Sequence, residues 1–261
     1  VCLSCLTMTG CSALNFSVEG LINAPKLTSE QSEIHQALIE SVGSNITLKY
    51  PKNGEYRSAY VIANIDDEPT DEAMVFYEYT SNGSEEDGLR VNILDKDEDG
   101  KWYSVKELAG AGTDIDQVII SPMGSNNQTD VFVGYQNLTN DEKTMEIYSY
   151  TDGDFKRVAL DTYSVLEPLD INNDGYIELI TIQRSTNNDT GAVTAKASML
   201  NMKNNEITRG ENVDMCDNVT SYVSSKTGML DSGRRAIFID GLTADGKLQT
   251  EIIYYLSLIH I

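Results

Sequence analysis

The sequence predicts an all-β protein: a partial β-propeller of about four four-stranded blades, preceded by one amphipathic helix. Three observations carry this expectation. Short runs rich in Val, Ile, Tyr and Thr are separated by Asp-Gly and Asn-Gly steps along most of the chain, which is the pattern of strands joined by tight hairpins. A loop-then-strand phrase recurs in Glu72-Ala73-Met74-Val75-Phe76, Asp130-Val131-Phe132-Val133, Glu178-Leu179-Ile180-Thr181 and Arg235-Ala236-Ile237-Phe238. Its interval of roughly 50 residues, with about four strands per unit, is that of propeller blades. A single stretch has helical periodicity, and it lies ahead of the strands.

The chain has 261 residues, of which 40% are hydrophobic, so a core can form. Its 41 acids against 19 bases give a net charge of −22. Phosphate backbones are repelled by such a field, which excludes nucleic acid as a partner. The acids otherwise solvate the surface or attract cations. Cys2, Cys5 and Cys11 crowd the N-terminal end, and Cys216 stands alone in the body. The Cys2/Cys5 pair has no second pair or histidine cluster, so neither zinc nor a disulfide framework is expected. Cys216 reads as a buried or semi-buried thiol.

Taken in order, residues 1–10 are small and apolar and read as the end of a truncated signal peptide. Met8-Thr9-Gly10-Cys11 resembles the bacterial lipobox, departing from it at Met8, where leucine is usual. That resemblance implies lipid attachment at Cys11. The chain would then be held to the cell membrane by a lipid anchor only, facing outside the cytoplasm. Residues 11–27 read as the tether. The helix is expected over 28–43. Thr28 and Gln31 make a capping box, Ile34, Leu38 and Val42 form the apolar stripe, and Gly43 offers the C-cap. His35 lies off the stripe and reads as a surface residue. From 56 to 256 the chain reads as incomplete propeller repeats, with core strands expected at 59–65, 73–79, 89–94, 102–108 and onward to 248–255. Residues 257–261 form a non-native-looking tail.

The most informative loop is 170–178. Asp170, Asn172, Asp174 and Glu178 place oxygen side chains at its first, third, fifth and ninth positions, Tyr176 supplies a backbone carbonyl, and Gly175 allows the tight turn. Carboxylates, an amide and a carbonyl on one short loop suit calcium, a hard cation. The loop runs directly into a strand and resembles the FG-GAP and VCBS-type repeats of integrin-like β-propellers, in which a cation loop lies between two strands of a blade. Glu178 stands where that family usually has Asp. Thr181 at position twelve and the lack of flanking helices argue against an EF-hand. A worn copy spans 64–72, with Pro69 in the glycine position, where positive φ is forbidden. A second copy keeps only Asp130. In the fourth unit Arg235 replaces the acid, so that loop is expected to be empty of metal. Asp95 to Gly100 reads as a polar hairpin.

No catalytic constellation is apparent. The two histidines, His35 and His260, lie outside the β repeats, and Ala109-Gly110-Ala111-Gly112 lacks the context of a phosphate loop and reads as a linker between blades. The expectation is therefore a non-enzymatic, calcium-stabilised binding module with a protein or glycan ligand. The alternatives are a glycan-acting propeller enzyme whose catalytic blades are missing, and a structural spacer. The Asn-x-Ser/Thr sequons, Asn45 and Asn137 among them, read as chance in an Asn- and Thr-rich chain.

Overall fold

The structure, a computed structural model, describes residues 27–80, 88–123, 128–137, 142–187, 189–203, 206–216 and 219–255. The signal-like segment 1–10, Cys11, the tether apart from Leu27, and the tail 257–261 lie outside the described residues. Within them the chain is mostly β, in several antiparallel sheets that do not close into a barrel.

The helix α1 (Ser29–Val42) forms as its capping signals dictate. The Thr28 hydroxyl accepts the Gln31 N–H at 3.1 Å, and the Gln31 side chain accepts the Thr28 N–H at 3.2 Å. At the far end, the Gly43 N–H closes on the Ile39 carbonyl at 2.9 Å. Ile34, Ala37 and Leu38 are buried against Val75, Tyr77, Leu94 and Trp102. His35 departs from the surface position expected of it. Its ring is half-buried, and Nδ1 lies 2.8 Å from the Tyr60 hydroxyl.

Four sheets follow one another in chain order. The first contains β1 (Ile46–Leu48), β2 (Tyr60–Ala63), β3 (Glu72–Tyr79), β4 (Leu89–Lys96) and β5 (Trp102–Ala109), with β1 and β2 sharing one edge of β3. The second is a meander of β6 (Asp114–Ser121), β7 (Asp130–Gln136), β8 (Lys143–Thr151) and β9 (Asp154–Tyr163). The third runs β10 (Val165–Leu169), β11 (Glu178–Thr186), β12 (Val193–Lys203) and β13 (Glu206–Arg209), and the short β14 (Val213–Asp214) also pairs with β12. The fourth has three strands among the described residues: β15 (Val219–Met229), β16 (Arg235–Thr243) and β17 (Leu248–Tyr254). The Ala109 to Gly112 segment joins the first sheet to the second, and Asp95 to Gly100 is the β4–β5 hairpin, tied by Asp97 accepting the Asp99 and Lys101 N–H groups at 3.0 and 2.8 Å.

The central strands explain how the sheets stack. Successive side chains of a strand point to opposite faces, and each central strand is apolar on both. In β3, Ala73, Val75 and Tyr77 face the helix, while Met74 and Phe76 face the second sheet. In β7, Val131, Val133 and Tyr135 face the first sheet, and Phe132 faces the third. In β11, Leu179 faces the second sheet, and Ile180 and Ile182 face the fourth. In β16, Ile237 and Ile239 close this last interface. The helix thus covers one end of a series of sheet-on-sheet contacts.

Candidate functional site

The loop between β10 and β11 contains the residues expected to hold a cation. Asp170 and Glu178 are buried, Asn172 and Tyr176 are half-buried, and Asp174 is exposed. The carboxylate of Asp170 accepts the N–H groups of Asp174 at 3.0 Å and Gly175 at 3.2 Å. The Asn172 amide donates to Asp174 at 3.0 Å and to Glu178 at 2.8 Å. The N–H of Tyr176 donates to Asp174 at 3.0 Å. Asn173 and Gly175 adopt left-handed φ values of 65° and 95°, which fold the loop back on its first carboxylate. Burial raises the pKa of Glu178, the Ile171 N–H lowers it, and the charges of Asp174 and Asp170 raise it further.

Three carboxylates and an amide lie along one hydrogen-bonded loop, and these are the donor types a hard cation takes. The amide of Asn172 currently separates two of those carboxylates, and a cationic side chain supplies charge to the third. The Arg235 guanidinium lies 3.2 Å from the Asp170 carboxylate and donates to the Asp170 carbonyl at 3.0 Å. Among the described residues no group of three or more Asp, Glu, His or Cys side chains stands ready-grouped around a metal position.

The copies of this loop share a corner whose purpose the sequence conceals. Glu178 accepts the N–H of Ile171 at 3.0 Å, Glu72 that of Ile65 at 2.8 Å, and Asp130 that of Met123 at 3.2 Å. In each case the acid opens the strand that follows its loop (β3, β7 or β11), is almost wholly buried, and ties down the backbone of the preceding loop. In the 64–72 copy the Asn64 amide donates to the carbonyls of Glu68 and Thr70, so its nitrogen faces the loop backbone. Arg235, at the equivalent place in the fourth sheet, reaches across to the third-sheet loop.

A second feature lies where the first strands of successive sheets approach one another. A cleft of about 570 Å³ is bounded by 53–56, β6, β10 and β15. The Gln117 amide donates to the Leu166 carbonyl at 3.3 Å, joining β6 to β10, and Ser225 of β15 donates to Glu167 of β10. Asp116 sits at the cleft floor with four partners: Asn53 at 2.8 Å, Lys143 at 3.0 Å and Gln136 at 3.3 Å on one oxygen, and the Tyr163 hydroxyl at 2.6 Å on the other. Burial pushes the Asp116 carboxyl up, but the Lys143 charge and these hydrogen bonds outweigh it and hold the group below the usual range. Burial also raises Glu167, against a smaller lowering by Ser225.

The cleft residues were not singled out by the sequence. The available signal was a polar side chain set inside an apolar strand, as in Ile115-Asp116-Gln117-Val118 and Leu166-Glu167-Pro168. Cys216, expected to be buried or semi-buried, is exposed. No helix among the described residues is long and apolar enough to cross a membrane. No protein-family model matches the chain, and a search of curated proteins gives no significant match.

Proposed function

We propose that the chain is a binding module of the partial β-propeller type, similar to FG-GAP and VCBS-type repeats, with a structural calcium ion at 170–178. The observation that carries this reading is the repeated corner. The same backbone-to-carboxylate bond, spanning the same interval, stands at the start of β3, β7 and β11, a central strand in each of three consecutive sheets. A sheet repeated in this way is the unit of a propeller blade. In that reading the first strands are the inner strands, and the cleft they line receives the ligand, a protein or a glycan.

Asp170, Asn172, Asp174, the Tyr176 carbonyl and Glu178 would hold the ion. When bound, calcium would neutralise the Asp170 and Asp174 charges that add to the raised pKa of Glu178. Its role is stabilisation by mass action. Calorimetric titration of metal-free protein is expected to show calcium binding and a raised thermal midpoint, both lost in Asp174→Ala. Asp174 is exposed, so the variant should still fold. Wild-type affinity in that variant would remove the ion from this loop.

The cleft is read as the ligand-binding site. Both oxygens of Asp116 are already occupied, which leaves Glu167 and the exposed Glu55 as the acids of its lining that can meet a ligand. Screening the protein on glycan and protein arrays tests the reading. A ligand whose binding survives Glu167→Gln and Ser225→Ala would place the site elsewhere. The lipobox resemblance extends the proposal to a lipid-anchored protein outside the cytoplasm. Mass spectrometry of the membrane fraction should then find acylated Cys11, and a mature start elsewhere would refute it.

A further inference from the structure

The residue that opens β16 breaks the pattern of the other three sheets, and its side chain goes to a neighbouring sheet. At the start of β3, β7 and β11 an acid accepts a backbone N–H of the loop before it. The strand β15 passes to β16 through a tight turn instead. The Leu230 N–H closes on the Arg234 carbonyl at 2.9 Å, and the Gly233 N–H on the Leu230 carbonyl at 2.8 Å. This turn satisfies its own backbone without a side chain from β16. Arg235 is therefore free to reach the loop between β10 and β11.

One guanidinium nitrogen, Nη1, serves two acceptors there: the Asp170 carbonyl at 3.0 Å and the carboxylate oxygen Oδ2 of the same residue at 3.2 Å. Oδ2 also accepts the Gly175 N–H at 3.2 Å, and Oδ1 accepts the Asp174 N–H at 3.0 Å. The Asp170 side chain is 10% exposed and that of Arg235 41%. The carboxylate is thus the desolvated partner, and it needs a counter-charge whichever cation supplies it. Arg235 can leave Oδ2 at little cost, because it is partly solvated and keeps the carbonyl. Asp170 is also the first of the residues read as calcium ligands, so two cations address one carboxylate. Calcium affinity follows the charge of the ligand set, and Arg235 subtracts one unit from that of Asp170, Asp174 and Glu178.

We propose that Arg235 is a built-in competitor of the calcium ion, which holds the Asp170 carboxylate in the metal-free loop and yields it when the ion binds. The inference rests on the reading of 170–178 as a calcium loop. Coupling of this kind is reciprocal. Arg235 weakens calcium binding, and calcium weakens by the same factor the ion pair between β16 and the third-sheet loop. Loss of that pair offsets part of the stabilisation the ion brings. The arginine thereby sets the calcium level at which the loop fills and links its filling to the junction of the third and fourth sheets.

The test titrates calcium into the metal-free full chain by calorimetry, in wild type, Arg235→Gln, Arg235→Lys and Arg234→Gln. Arg234 is exposed, and its replacement changes the net charge by the same one unit, so it controls for the long-range field. Arg235→Gln is expected to bind calcium about fivefold or more tighter than wild type, and calcium should raise its thermal midpoint further. Arg235→Lys, which keeps the charge, should return the affinity towards wild type, and Arg234→Gln should change it much less. Binding that appears in Arg235→Gln alone supports the proposal most strongly. Wild-type binding with equal or weaker affinity in Arg235→Gln overturns the competition and leaves the calcium loop in place. An equal gain in Arg234→Gln overturns it too, because the effect is then that of net charge. Binding in none of the four proteins overturns the calcium reading and the competition together.

Discussion

Gly134→Ala is expected to lower the unfolding free energy by about 3 kcal/mol, the combined scale of overpacking and of a broken buried hydrogen bond. The position lies in the middle of β7, where glycine ordinarily weakens a strand. Its reason is a close approach. An added Cβ would stand 2.1 Å from the Tyr163 hydroxyl and 3.2 Å from the Phe132 ring. Tyr163 is fully buried, and its hydroxyl is held at 2.6 Å by Asp116. The ring cannot yield without releasing that carboxylate, which then keeps Asn53, Gln136 and Lys143 but loses its bond on Oδ2. The same change reaches the cleft floor. Chemical denaturation measures the loss of stability. A variant as stable as the wild type would show that Tyr163 can move aside freely and that the Asp116 cluster is not rigid.

The elements most legible in the sequence are those with local causes. The helix boundaries follow from Thr28, Gln31 and Gly43, whose hydrogen bonds span at most four residues. The long central strands follow from uninterrupted apolar runs buried on both faces. The strands that escaped, β1, β13 and β14, are two to four residues long and carry mixed side chains, too short for alternation to register. The repeated acids were legible as a ninth loop position, but not their bond to a backbone N–H seven residues earlier. Arg235 shows the limit most clearly. The sequence marks it as a substitution that spoils one loop, whereas the fold brings it to Asp170 of the preceding sheet. The cleft depends on which sheet lies against which, and no local pattern encodes that.

The corner acids also predict how stability responds to pH. Burial, opposed by the Ile65 N–H and reinforced by the charges of Asp66 and Asp95, pushes Glu72 from its ordinary 4.5 up to about 7. Asp130 and Glu178 shift the same way, with burial the first cause in each. A carboxyl group raised in the folded state binds its proton there after the unfolded chain has released it. Below about 4.5 both states are protonated and the group contributes nothing. As pH rises towards 7, only the unfolded chain gains by ionising, so stability falls; above about 7 the loss is complete. For Glu72 the displacement corresponds to about 3 kcal/mol at roughly 1.4 kcal/mol per pKa unit. Asp116 runs the other way, adding stability above its ordinary pKa that is lost as pH falls through the lowered value, so the two effects occupy different pH ranges. Urea denaturation of calcium-free protein at pH 5 and pH 8 is therefore expected to show lower stability at pH 8. Glu72→Gln keeps an acceptor for the Ile65 N–H and cannot ionise, so it should shrink that difference by about 2–3 kcal/mol, relative to wild type. An unaltered difference in the variant would mean that Glu72 is ionised in the fold at little cost. The unpartnered Oε1 of Glu72 argues against that, because among the described residues a carboxylate charge buried there would have the Ile65 N–H as its one hydrogen-bond donor from outside its own residue.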